Sequence, residues 1–337
     1  MCYNKILSKG IDIMNWVEMD IYTTTEGIEA VTGSLLGMGI NGFVIKDAKD
    51  FQDFLDDKDG NWDYIDDDLM GLKNCETTVT VYLPENAQGL ENLEAMKLEL
   101  KALKKRDVNN EFGRLEYELK NVKEEDWANN WKQYFKPLCV GEKLLIKPSW
   151  EKVAEGEKRK ILEIDPASSF GTGQHNTTQL CLELVEKNLH EGDMILDLGC
   201  GSGILSIGAL LLGAESATAV DVDENSVKIA KENAEKNHIS AEKYTAYCGN
   251  IIDDKATQDA AGYECYDIVV ANILADIIIM IQKQVPFHLK KGGIFISSGI
   301  IDMKEQAVRE ALEANEAFEI IEVTRQGEWV SFTARKK

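Results

Sequence analysis

The chain has 337 residues, 44% of them apolar, and its 59 acidic side chains outnumber 37 basic ones to give a formal net charge of −22. That balance argues against nucleic acid as a direct partner, because phosphate binding is driven by Lys and Arg displacing counterions, and it favours a basic partner drawn in by the field. No run approaches the ~18 apolar residues of a bilayer span, and seven cysteines without a C-x-x-C pair argue against both a metal site and a disulfide framework, so a cytoplasmic protein with no membrane partner is expected.

The length suggests two domains. Residues 1–13 lack the apolar core and cleavage site of a signal peptide; they read as an extension ahead of Met14, an alternative start. Residues 14–120 then follow the order β-α-β-β-α-β. Trp16–Tyr22 alternates with period two, Glu26–Met38 has helical spacing, and Gly42–Ile45 is a second strand. Thr78–Leu83 and Arg114–Leu119 read as strands on either side of the helical run Glu91–Lys105. The order fits a small ferredoxin-like α+β domain with an acidic insertion at 46–68 between its second and third strands. In that insertion ten Asp residues stand against Lys46, Lys49 and Lys58, which makes it a solvated face or a docking patch for a basic protein. With no catalytic residue to name, this domain reads as the one that recognises substrate.

A helical linker is expected over 121–140. Trp127 and Trp131 stand one turn apart and share a face, extended by Tyr134 and Phe135, that either packs between domains or clamps substrate. Residues 141–337 form the catalytic domain. Ahead of its glycine turn lies the segment Asp165–Thr178, which contains Phe170-Gly171-Thr172-Gly173-Gln174-His175, and Gln179–Leu189 follows as a helix.

The most telling stretch is Ile195–Leu205, an apolar strand, an acid and three alternate glycines in one strand-to-helix turn. Its spacing, Gly199, Gly201, Gly203, differs from the G-x-G-x-x-G of dinucleotide sites. Asp197 would repel a pyrophosphate but suits the ammonium of a methionine moiety, so the expected cofactor is S-adenosyl-L-methionine. Asp221, ending the next strand about twenty residues on, can accept both ribose hydroxyls. Asn250, after a third strand, falls near the adenine, and Asn272 ends the strand Tyr266–Asn272 at the edge where open α/β sheets do their chemistry, facing the methyl group. Cys200 reads as a small turn residue and not as a nucleophile. Strands at about 193–198, 217–221, 245–248, 266–272, 292–298, 317–325 and 329–335 predict a Rossmann-like seven-stranded mixed sheet, its last pair a hairpin through Gln326-Gly327-Glu328.

The F-G-T-G-x-H-x-T-T segment, the D-L-G-C-G-S-G-I-L turn, the V-D-V-D strand end, A-N-I-L-A, and W-A-N-N-W-K-x-Y-F-K-P at the linker together resemble the ribosomal protein L11 methyltransferases, the PrmA family. The resemblance covers almost the whole chain. It implies a class I, S-adenosylmethionine-dependent methyltransferase that modifies the N-terminal α-amine and lysine ε-amines of ribosomal protein L11, and it carries cofactor contacts onto Thr178, Gly199, Asp221 and Asn272. Gln174 and Asn176 stand where many members have Thr and Pro, which frees a φ angle in the loop.

The chemistry implied is direct in-line displacement at the methyl group by a deprotonated amine, expected of a monomer. Asn272 is assigned to accept a hydrogen bond from the amine, Thr172 and Thr178 to order the loop over the methionine end, Phe170 to line the cofactor site and desolvate the amine, and His175 to hold the loop or act as base. The alternatives are an N-methyltransferase of another basic protein or a small amine, a base-amino methyltransferase, which would need a Pro-Pro-aromatic sequence after Asn272, and a nicotinamide oxidoreductase.

Overall fold

The computed structural model describes residues 16–40, 42–49, 52, 75–120, 135–165 and 172–337. Trp127, Trp131, Tyr134, Phe170 and most of the acidic insertion fall outside the described residues.

In the small domain, β1 (Trp16–Tyr22) pairs antiparallel with both β3 (Thr78–Pro84) and β4 (Glu116–Lys120), and β2 (Phe43–Lys46) pairs with β3. The resulting order, β2-β3-β1-β4, is that of the expected split βαβ arrangement. Alternation sends Val17, Met19 and Ile21 of β1 and Val79, Val81 and Leu83 of β3 inward. There they meet Leu93, Met96, Leu100 and Leu103 of α2 (Ala87–Arg106) and Val31 and Leu35 of α1 (Ile28–Gly37). Each such side chain contributes roughly 1.5–3 kcal/mol through burial. Helix α2 begins four residues before the expected Glu91 because the Asn86 side chain caps it, accepting a hydrogen bond from the Gly89 N–H at 2.9 Å. That places Glu91 inside the helix. Within the acidic insertion Asp47 is buried, accepting hydrogen bonds from the hydroxyls of Thr77 (2.8 Å) and Thr25 (3.0 and 3.1 Å), so this one acid is a structural acceptor and not part of a solvated face.

Three short strands unforeseen in the sequence come next: β5 (Leu138–Val140), β6 (Leu144–Lys147) and β7 (Lys160–Glu163), forming a separate sheet of order β5-β6-β7. Residues 138–140, expected to close the helical linker, are strand, and the rest of the expected linker up to residue 134 lies outside the described residues. Three or four residues are too few for periodicity to register.

The catalytic domain is a seven-stranded sheet of order β10-β9-β8-β11-β12-β14-β13. Its strands are β8 (Met194–Leu198), β9 (Ser216–Asp221), β10 (Tyr244–Cys248), β11 (Tyr266–Asn272), β12 (Leu289–Ile301), β13 (Phe318–Gln326) and β14 (Trp329–Lys336). The first five are parallel, while β14 runs antiparallel to both β12 and β13. Gln326 pairs with Trp329 across the expected hairpin turn. Helices α3 (Asn176–Asn188), α4 (Ile204–Leu212) and α5 (Glu224–Lys236) contribute to one apolar layer, and α7 (Ala275–Ile281) and α9 (Glu305–Ala314) to the other, with α6 (Lys255–Ala261) and α8 (Val285–His288) between strands. No helix among the described residues is long and apolar enough to cross a membrane.

Candidate active site

Strand order reverses between β8 and β11, and in doubly wound sheets the crevice outside the carboxyl ends of the strands at such a point is where ligands sit. The turns after β8, β9, β10 and β11 all open there. They are laced together: the N–H groups of Gly199 and Cys200 donate to the Val220 carbonyl at 2.8 and 3.2 Å, and the Gly249 N–H donates to the Asp221 carbonyl at 2.9 Å.

The three glycines of the first turn have φ of +72°, +52° and +77°, a region closed to most side chains. Space is short as well. A Cβ on Gly199 would lie 2.4 Å from Cγ2 of Ile273, and one on Gly203 would lie 2.7 Å from the Tyr244 hydroxyl. With no side chain at the N-cap Gly203, α4 takes its cap from the strand before it. Asp197 is fully buried, and its Oδ2 accepts from the Ser206 N–H at 3.1 Å and the Ser206 hydroxyl at 2.6 Å. Its Oδ1 is buried without a partner. Burial pushes the carboxyl up to about 6, opposed by the two Ser206 bonds. Asp221 spreads over the turn, with Oδ2 accepting from the Gly201 N–H at 2.9 Å and Oδ1 from the Asp223 N–H at 3.0 Å. Asn250 lies beside it at the end of β10, its Oδ1 accepting from the Ile252 N–H at 3.0 Å. Cys200 is a buried free thiol whose pKa burial raises, in keeping with a turn residue.

On the opposite side of the crevice Asn272 ends β11. Its Nδ2 donates to the hydroxyl of Thr178 at 3.3 Å, while its Oδ1 is buried and accepts nothing. Thr178 is fully buried in the first turn of α3. That helix is capped by His175, whose Nδ1 accepts from the Thr177 N–H at 3.2 Å and lies 2.7 Å from the Thr177 hydroxyl. The imidazole meets the Trp329 ring edge-on, centroids 4.8 Å apart. Burial lowers its pKa to about 4. Below 6.5 an unfolded chain would take up a proton that this site refuses, so the stability His175 contributes is complete above pH 6.5 and is lost as pH falls through about 4. Such an imidazole is a cap and a poor base. Between about pH 6 and 9 the rate of methyl transfer should therefore follow the incoming amine, and His175→Asn, which keeps a capping oxygen, should leave the pH–rate profile unmoved. A displaced acidic limb in that variant would restore the base.

Thr172 is held by the small domain: its N–H donates to Oε1 of Glu91 at 3.0 Å, and its hydroxyl donates to the same oxygen. The structure thus gathers Asp197, Gly199, Gly201, Gly203, Asp221, Asn250, Asn272 and Thr178 around one crevice, with Thr172 and His175 on the segment leading into α3. Sequence reasoning missed Ser206, Trp329 and Glu91. Ser206, three residues past a side-chain-free cap, was open to discovery from capping rules; Glu91 and Trp329 reach the site only through contacts 81 and more than 100 residues away in sequence.

A sheet of this order, whose first turn is a glycine cradle and whose second strand ends in a carboxylate under that cradle, defines a methyltransferase of the S-adenosylmethionine-dependent, seven-stranded class. The family model described as ribosomal protein L11 methyltransferase (PrmA) matches residues 15–337, and the chain belongs to that family. A protein of Lachnospira eligens named ribosomal protein L11 methyltransferase is 40% identical over 334 residues, spanning 96% of this chain and all of its own length. One of Agathobacter rectalis with the same name is 41% identical over 330 residues, spanning 96% and 99%. A crystal structure named ribosomal protein L11 methylase from Lactobacillus delbrueckii subsp. bulgaricus is 32% identical with a TM-score of 0.53, covering 60% of this chain and all of that one. The cofactor is S-adenosylmethionine, and the residues present fit it: a turn whose glycines leave no room for a Cβ at 199 or 203, and an unpartnered buried oxygen on Asp197.

Proposed function

We propose that this chain transfers methyl groups to amino groups of ribosomal protein L11, its N-terminal α-amine and lysine ε-amines, by direct in-line displacement, working in the cytoplasm as a monomer. Bound S-adenosylmethionine supplies an electrophilic methyl group whose carbon bonds to the amine nitrogen as its bond to sulfur breaks, the electron pair staying on sulfur. The observation that carries the reading is Asn272, an amide anchored through Nδ2 on Thr178 with Oδ1 buried and unsatisfied. An acceptor so placed lacks only a donor, and an amine N–H is one.

The remaining residues bind and orient. Gly199, Gly201 and Gly203 would let backbone approach the cofactor, Asp221 would take its ribose hydroxyls, Asn250 would meet its adenine, and Asp197 would offer a negative charge to its methionine end. A free lysine, with a pKa near ~10.4, must shed its proton before it attacks. Desolvation at the crevice, beside a positively charged sulfonium, lowers that pKa, and the proton leaves to solvent. No residue of the site needs to become a covalent intermediate; orientation and desolvation do the work. The net charge of −22 favours the approach of a basic protein.

The test is transfer from isotope-labelled S-adenosylmethionine to purified L11, read by intact mass and fragmentation. Mass gains in whole methyl increments, located on the N-terminal amine and on lysines, are expected. Cofactor binding with no gain on L11 would remove the substrate and leave the class.

A further inference from the structure

Glu91 belongs to α2 of the small domain, yet it is spent on the catalytic domain. It is 3% exposed, a rare state for a glutamate with no cationic partner among the described residues. Its Oε1 accepts from both the N–H and the hydroxyl of Thr172, and its Oε2 is buried with no partner. Burial pushes the carboxyl up to about 8, against the backbone N–H groups of Thr172, Gln174 and His175, which favour the charged form. An apolar side chain would have sealed such a contact at lower cost. What the carboxyl adds is a grip on a particular piece of backbone.

That piece borders the glycine cradle and leads on to the amide at the reacting centre. Gly173, next to Thr172, has φ +91°, and a Cβ there would lie 2.7 Å from Ile146 Cδ1 and 3.2 Å from Ile204 Cδ1, so the segment is pressed onto β6 and onto the residue that follows the glycine cradle. Two residues on, His175 caps α3, and in that helix Thr178 receives the Nδ2 hydrogen bond of Asn272. The small domain also touches the catalytic rim at the end of α1: a Cβ on Gly39 would lie 2.8 Å from the Trp329 ring, and one on Gly37 would lie 3.9 Å from Leu274.

We propose that Glu91 is a positioning residue for methyl transfer: it fixes the 172–175 segment in the form that completes the cofactor site, so that docking of the small domain and binding of S-adenosylmethionine reinforce each other. The coupling is reciprocal by necessity, since a docked domain that tightens the cofactor is itself tightened by it. It rests on the cofactor and not on which amine is methylated, and so it stands or falls apart from the substrate reading.

The experiment uses the full chain, with the Kd for S-adenosylmethionine from calorimetry alongside kcat and KM. Glu91→Ala should raise the Kd about tenfold, the size of one lost buried hydrogen bond, whereas Glu91→Gln, whose amide oxygen still accepts from Thr172, should stay within about threefold of the parent. Thr172→Val should weaken the cofactor in the same direction, and the Glu91→Ala, Thr172→Val pair should be no weaker than Glu91→Ala alone. An unchanged Kd in Glu91→Ala, or two effects that simply add, would overturn the proposal. Should the alanine variant not fold, the Gln and Val variants decide it: Gln near the parent and Val weakened supports the grip, and the reverse overturns it.

Discussion

Replacing Asn272 by alanine lowers turnover by about a hundred- to a thousandfold, the usual loss for one preorganised hydrogen-bond partner in a reacting centre, and leaves the Kd for S-adenosylmethionine within about threefold. The split follows from geometry. The Asn272 amide has one anchored end and one empty end, and the empty end has nothing to hold until an amine arrives. Its hydrogen bond therefore belongs to the attacking complex and not to the cofactor complex, and only interactions gained on the way to the transition state change kcat. Single-turnover rates at saturating cofactor, set beside calorimetric Kd values, measure the two separately. If rate and affinity fell together, Asn272 would be a cofactor ligand with no part in the chemistry.

Asp221→Ala should do the opposite, weakening S-adenosylmethionine by about a hundredfold or more, since hydrogen bonds from two hydroxyls to a carboxylate are worth roughly 1.5–3 kcal/mol each. Turnover at saturating cofactor should change little. The same carboxylate also holds Gly201 at 2.9 Å, so part of the loss comes from a slackened cradle, and Asp221→Asn, which keeps an acceptor, should recover a portion. Burial holds the Asp221 carboxyl above the usual carboxylate range. Protonation spoils it as an acceptor, so affinity should decline on acidification at a higher pH than a surface aspartate would dictate, and that decline should be smaller in Asp221→Asn, where only the part owed to Asp197 is left. Calorimetric titrations across acidic pH values read both effects; an unaltered Kd in the alanine variant would take the ribose away from Asp221.

The catalytic sheet was legible because parallel, doubly buried strands are written as apolar runs bounded by turns, and each boundary carried its own chemistry: glycines after β8, an acid ending β9, amides at the ends of β10 and β11. The small domain was legible for another reason, the period-two alternation of Trp16–Tyr22 and Thr78–Leu83 against long helical runs. What escaped was short or distant. Strands β5, β6 and β7 have three or four residues each, and all four residues of β6 are buried, so neither length nor alternation marks them. Charge alone points Asp197 at the methionine end of a cofactor; that it closes the start of α4 through Ser206 depends on the fold of the turn. The grip of Glu91 on Thr172 is a meeting of two domains, and nothing local in Leu90-Glu91-Asn92 announces it.

The pairing of Lys46 with Thr78 at the loop end of the β2–β3 hairpin has a consequence for protein engineering. The chain between them, residues 47–77, leaves from the end of the edge strand β2 and returns at the start of its neighbour β3. The entropy of closing such a loop grows only logarithmically, about 0.6 kcal/mol for each doubling of its length. A reporter domain or affinity tag grafted at this position would therefore tax the fold lightly, whereas the same graft at Gly199–Gly203, where a single methyl group has no room, would abolish the site.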